Sequence, residues 1–222
     1  LDGFAAVGAD GPLCEPLSTG NTIAMPHGSE LMYLPQRVAV MMDLASGRIG
    51  PVARHPDGSG QPIFPVAAFN SPGVVLTHTC AYEERPEAAM LPLFSYGAVG
   101  WQPDGFRSAA LVVDTEPRQD LRRMPHEKIV SGVAGMRSRL PDNRLARHLE
   151  HCALTYGCPA GKNFFLGRYE APLPTARACN ARCLGCISLQ PDQQLTSSQN
   201  RIGFTPSPEE IAQVALAHIT RV

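Results

Sequence analysis

The sequence predicts an α+β chain in which a β-rich N-terminal domain, residues 1–117, precedes a helical connector, 118–166, and a closing strand–loop–helix unit, 167–222. Three observations lead there. Short apolar and β-branched runs separated by Gly, Pro and Asn fill residues 30 to 114. Apolar residues then recur at helical spacing. Finally, Ser207-Pro208-Glu209-Glu210 is a capping box with proline at the first helical position.

Leu1–Gly28 carries Gly3, Gly8, Gly11, Pro12, Pro16, Gly20 and Pro26 without a sustained period, which predicts an irregular lead-in. Leu31–Leu34 and Val38–Asp43 then read as extended, and Ala45-Ser46-Gly47-Arg48 supplies a turn before Ile49. Ile63–Phe69 and Val74–Thr79 follow as further short strands. The clearest hairpin sets Leu93–Trp101 against Phe106–Asp114 through Gln102-Pro103-Asp104-Gly105, so the unit is expected to be antiparallel. Beyond it, Ile129, Val133, Met136 and Leu140 mark one helix face that Pro141 ends. A second helix is expected with Asp142 as its N-cap, a stripe of Leu145, Leu149, Cys152 and Tyr156, and a stop at Gly157. Gly167–Leu173 returns to extended character, and Ile211, Val214, Ala215 and Ile219 give the last helix its apolar stripe.

Composition excludes several classes of function. Of 222 residues, 44% are apolar and 18% charged, so the chain can bury a core. Nineteen basic residues against twenty acidic leave a net charge of −1, which argues against non-specific nucleic-acid or membrane-surface binding. Eight basic residues between Asp114 and Glu150 share that stretch with six acids and fall opposite the apolar stripes, as on a solvated helix face. Val38–Met42 and Ala109–Val113 are far too short to span a bilayer. Leu1–Ala9 lacks the pattern of a secretory signal, and a cytoplasmic location is the expectation.

The seven cysteines carry the chemistry. An odd count in a chain of this size points away from a disulfide framework and toward metal or redox chemistry in a reducing compartment. Three of them form Cys179-Asn180-Ala181-Arg182-Cys183-Leu184-Gly185-Cys186, a C-x3-C-x2-C pattern. Structural zinc wants four protein ligands, and iron–sulfur clusters usually have four cysteines. Three thiolates leave one iron of a four-iron cluster open to a small molecule with an amine and a carboxylate. The readings that stay open are that cluster, a zinc site completed by Cys158 or His151, and ordinary thiols. Cys152 and Cys158, with His148 and His151 nearby, raise the question of a second metal site, although Cys152 lies on an apolar stripe. Cys14 and Cys80 read as structural, and His27, His55, His78, His126 and His218 show no partner pattern.

The triplet resembles the hallmark of the radical S-adenosylmethionine superfamily, found on the loop after the first strand of a βα barrel. The resemblance covers roughly residues 167–222. It implies that Gly167–Leu173 is that first strand, that Ser207–Arg221 is the first helix, and that the chain is the N-terminal portion of a longer enzyme with a truncated barrel. It further implies that Cys179, Cys183 and Cys186 ligate a 4Fe-4S cluster. S-adenosylmethionine would occupy the open iron, and Gly185 would stand beside it, where the family usually places an aromatic residue. Reductive cleavage to a 5′-deoxyadenosyl radical would need an electron donor such as a flavodoxin or ferredoxin. The later family motifs lie on strands beyond Val222, so the 222 residues alone are expected to be catalytically incompetent. Two alternatives remain: an iron–sulfur electron-carrier module with a fourth protein ligand, Cys158 first, and a zinc-stabilised interaction module.

Overall fold

The structure, a computed structural model, describes residues 1–91, 96–181, 183, 186, 188–189 and 199–222. The chain divides into two compact units, Leu1–Thr115 and Glu116–Val222. Among the described residues there are thirteen strands and four α-helices, and no helix is long and apolar enough to cross a membrane.

The first unit holds β1 (Phe4–Asp10), β2 (Leu13–Pro16), β3 (Ile23–Ala24), β4 (Glu30–Tyr33), β5 (Arg37–Asp43), β6 (Ile49–Val52) and β7 (Val66–Phe69). It continues with β8 (Val74–Leu76), β9 (Thr79–Cys80), β10 (Tyr82–Glu84), β11 (Gly97–Gln102), β12 (Gly105–Ser108) and β13 (Ala110–Val112). Eleven strands make one antiparallel sheet in the order β10-β5-β1-β9-β11-β12-β3, with β2 added to β1, β6 to β5, β7 to β11 and β4 to β7. Strands β8 and β13 pair separately.

The expected irregular lead-in is corrected here, because β1 lies inside the sheet. Phe4–Ala6 pair with β5, and Val7–Asp10 pair with β2. Its sequence, Phe-Ala-Ala-Val-Gly-Ala-Asp, lacks the apolar–polar alternation of a half-buried strand, which is why period alone misses it. Gly8 is a site of close approach rather than a breaker: a Cβ there would stand 2.6 Å from the Cβ of His78. The expected hairpin is shorter than its apolar runs. Strands β11 and β12 pair from Val99↔Ser108 to Gln102↔Gly105. Beyond Ser108 the chain leaves this partner, and Ala110–Val112 pair with β8 instead. Leu93 in that hairpin lies outside the described residues.

Small side chains fill much of this unit's interior, with Ala39, Ala67, Ala68, Ala81, Ala98, Ala109 and Ala110 all buried. Arg37 is buried among them at 2% exposure. Its guanidinium donates to the Glu84 carboxylate and to the carbonyls of Pro35 and Ala89, and stands over the Tyr82 ring at 5.3 Å. The Glu84 carboxylate pairs the buried charge, while the Arg37 Nε has no hydrogen-bond partner among the described residues.

The second unit contains a short 3-10 turn, Leu121–Arg123, and helices α1 (His126–Arg139), α2 (Arg144–Leu154), α3 (Pro159–Leu166) and α4 (Pro208–Ile219). Ile129, Val133 and Met136 of α1 recur at i, i+4 and i+7 and are buried. They meet Leu145 and Leu149 of α2, Phe164 and Phe165 of α3, and Val214 and Ala217 of α4 in one core. The rings of Phe164 and Phe165 pack edge to face with centroids 4.9 Å apart.

This bundle overturns the expected fold class. In place of a two-helix connector followed by the first βα unit of a radical SAM barrel, four helices share a single core, and the described residues of this unit contain no strand. Gly167–Leu173 is not a strand. Gly167 adopts φ +65° as the left-handed C-cap of α3, its N–H bonded to helix carbonyls, and Tyr169 follows at φ +58°. An extended-looking run that ends on Pro172 and Pro174 has no partner edge among the described residues, so β-like composition produces no ladder. Period alone does not reveal α3, because the large apolar side chains among its eight residues, Phe164, Phe165 and Leu166, are consecutive rather than spaced at a helical period. The N-cap of α2 is Asn143, one residue after the expected Asp142; its Oδ1 accepts the N–H of Ala146.

Candidate functional site

The three clustered cysteines lie on the segment joining α3 to α4, and both ends of that segment are fastened to the bundle. At its start, the Nε of Arg168 donates to Asn163 Oδ1, and the Nδ2 of Asn163 donates to the Arg118 carbonyl and the Glu170 carboxylate. The guanidinium of Arg221 donates to the carbonyl of Phe165 and to that of Phe164, which also accepts the Gly167 N–H. At its far end, Ile202 is buried and Phe204 packs on the same core.

Helix α4 then starts on the capping box: Ser207 Oγ accepts the Glu210 N–H, and the Glu210 carboxylate accepts the Ser207 N–H. The same carboxylate takes two parallel bonds from the Arg144 guanidinium, at 2.8 and 2.7 Å. Asn143 Nδ2 donates to the Glu210 carbonyl and to Gln213 Oε1, tying α2 to α4. The Arg144 side chain and the Ser207 N–H hold the Glu210 carboxyl at about 2, well below its ordinary 4.5. A carboxylate depressed on folding contributes stability above its unfolded pKa and loses it as the pH falls toward its folded one. Glu210→Gln, which retains the capping acceptor, is therefore expected to lower the urea midpoint at pH 7. That difference from the parent should shrink between about pH 4.5 and about pH 2. A pH-independent difference would mean that the Arg144 pair is not its source.

Cys179 and Cys183 are exposed, and Cys186 is half-buried. The N–H of Ser188, followed by its hydroxyl, the N–H of Leu189 and the side chain of Arg201, stabilise the Cys186 thiolate and hold its pKa below the ordinary thiol value. Ser188 Oγ stands 3.7 Å from Cys186 Sγ. No motif announces these donors in the sequence, because two of them are backbone groups and Arg201 lies fifteen residues away. Gly185, expected beside the open iron, lies outside the described residues. The structure does not gather the three sulfurs round one point: among the described residues no group of three His, Cys, Asp or Glu side chains is placed to hold a metal ion. The donor set nonetheless suits a thiophilic centre. It offers three thiols within eight residues, two of them reachable from solvent and the third already biased toward the thiolate that binds iron.

The remaining candidates separate. Cys80 donates to the Val66 carbonyl, and burial pushes its thiol up to about 12, so it is an inert interior group. Cys14 is exposed on β2. His55 stands 2.9 Å from Asp57 and His78 stands 3.7 Å from Glu15. In the helical unit, Cys152 Sγ lies 3.6 Å from His148 Nε2, while His151 Nδ1 contacts Thr155 Oγ1 at 3.1 Å and its ring meets Tyr156 edge-on. No protein-family model matches the chain, and no curated protein or solved structure is detectably similar to it.

Proposed function

We propose that Cys179, Cys183 and Cys186 hold a 4Fe-4S cluster whose fourth iron is left for S-adenosylmethionine, and that the protein acts as a radical S-adenosylmethionine enzyme on a substrate still to be identified. The observation that carries this is the C-x3-C-x2-C spacing, on a segment fastened at both ends, with one thiol already drawn toward the thiolate. The proposal rests on that donor set and on no barrel architecture.

When bound, the cluster and S-adenosylmethionine supply one-electron reductive cleavage to a 5′-deoxyadenosyl radical. The electron would come from a flavodoxin- or ferredoxin-like donor. The chain's own residues have the more modest tasks of ligation and placement. Three thiolates ligate, and the Ser188 and Leu189 N–H groups with Arg201 offset the charge on one of them. Arg221, Asn163 and the Arg144–Glu210 clamp set where the segment leaves and rejoins the bundle.

The test is anaerobic reconstitution with iron and sulfide, then low-temperature EPR of the reduced protein with and without S-adenosylmethionine. A cluster signal that changes on addition of S-adenosylmethionine is the expected result. A signal indifferent to it favours an electron carrier with four protein ligands, and retention of zinc with no cluster favours a zinc-stabilised module.

A further inference from the structure

Two more thiols stand in the bundle apart from the cysteine segment. Cys152 lies on the inner face of α2, and Cys158 is the half-exposed N-cap of α3, with Gly157 at φ +69° turning the chain between them. The N–H of Cys158 donates to the carbonyl of Cys152 at 3.0 Å. With ordinary covalent lengths that bond caps the Cα–Cα separation at about 7.2 Å, reached only if every link were collinear. Hydrogen-bond geometry is not collinear, so the separation falls within the reach of a disulfide, whose Cα atoms lie up to about 6.8 Å apart. The helices already press together, since a Cβ on Gly161 of α3 would stand 3.3 Å from the backbone nitrogen of Ala153. The Cα separation thus meets the distance condition for a bridge.

The two thiols have unequal chemistry. Cys158 is partly open to solvent at the N-cap of α3, where a small disulfide can reach it. Burial, with the neighbouring Cys158 as a second cause, pushes the Cys152 thiol up to about 11, so it needs a local base. His148 Nε2 is 3.6 Å from its sulfur, and burial lowers the pKa of that imidazole, leaving it neutral and able to accept.

We propose that Cys152 and Cys158 are a redox pair that closes to a disulfide between α2 and α3 in response to low-molecular-weight disulfides. The Cys158 thiolate attacks a small disulfide such as oxidised glutathione, forming a mixed disulfide and expelling one small thiolate, which takes up the proton Cys158 has given to solvent. Cys152 passes its proton to His148 and attacks the Cys158 sulfur, and the second small thiolate leaves with the proton that His148 returns. Two protein thiols are oxidised and one small disulfide is reduced to two thiols.

The test uses the full chain, purified without oxygen, incubated with oxidised glutathione, alkylated and cut with trypsin. No Lys or Arg lies between Arg147 and Lys162, so Cys152 and Cys158 share one peptide, residues 148–162, that holds no other cysteine. Most of that peptide is expected to lose two hydrogens in mass and both alkyl labels, and to regain them after reduction, while Cys80 keeps its label after unfolding. Cys152→Ser should trap glutathione on Cys158, and His148→Gln should let the same adduct accumulate. A doubly labelled peptide at oxidant levels that modify Cys179 and Cys183 would overturn the proposal, as would a Cys152→Ser protein with no adduct on Cys158. The wild-type peptide mass decides the matter even if a variant fails to fold.

Discussion

Replacing any one of Cys179, Cys183 or Cys186 by alanine is expected to remove the cluster, taking iron from about four atoms per chain to background. Iron and acid-labile sulfide per chain, measured after anaerobic reconstitution, provide the check. The effect should be complete because a four-iron cluster with only two protein thiolates has lost a third of an already minimal ligand set. Cys14→Ala and Cys80→Ala should retain full iron, since neither thiol belongs to the segment and Cys80 is held protonated by burial. Cys158→Ala separates the two iron–sulfur readings. Retained iron and an unchanged EPR response to S-adenosylmethionine fit an open iron, whereas lost iron would make Cys158 a fourth ligand and the protein a carrier. A triplet variant that still bound its full iron would sink both readings.

The second large effect is expected where α1 crosses α3. A Cβ on Gly132 would clash with the carbonyl oxygen of Phe165, a backbone atom inside the core that cannot swing aside. Gly132→Ala should therefore destabilise the bundle by about 2–3 kcal/mol, the upper part of the range for overpacking, despite alanine's better helix propensity. Three residues along the same helix, a Cβ on Gly135 meets nothing within 4 Å. Gly135→Ala should stabilise by up to about 1 kcal/mol, the propensity gain alone. Urea unfolding followed by circular dichroism at the helical band tests the pair, and shifts of the same sign in both variants would contradict the close crossing.

Both substitutions show where sequence reasoning reaches. Gly132 and Gly135 are indistinguishable on paper, because each is a glycine in the same amphipathic helix, and only the arrival of Phe165 from α3 separates them. The same holds for β1, whose seven residues have no period but are pinned by neighbours on both edges. It holds again for Arg37, which any composition rule places on the surface and which the fold buries against Glu84, Pro35, Ala89 and Tyr82.

What the sequence determined by itself is local in origin. The stripe Ile129–Val133–Met136 follows from helical spacing, the start of α4 from the Ser207–Glu210 box, and the donor set from the separations among Cys179, Cys183 and Cys186. Each depends on residues within a few positions of one another, so no distant partner can alter it. Only the tertiary structure decided that Gly167–Leu173 is a capped helix exit instead of a barrel strand. A strand exists through its neighbour, and this segment has none among the described residues, while Phe164, Phe165 and Ile202 find their burial in the core that α1, α2 and α4 share. The physical reason is the same throughout: capping and spacing are paid within the segment, whereas pairing and burial need a second segment that only the folded chain brings near.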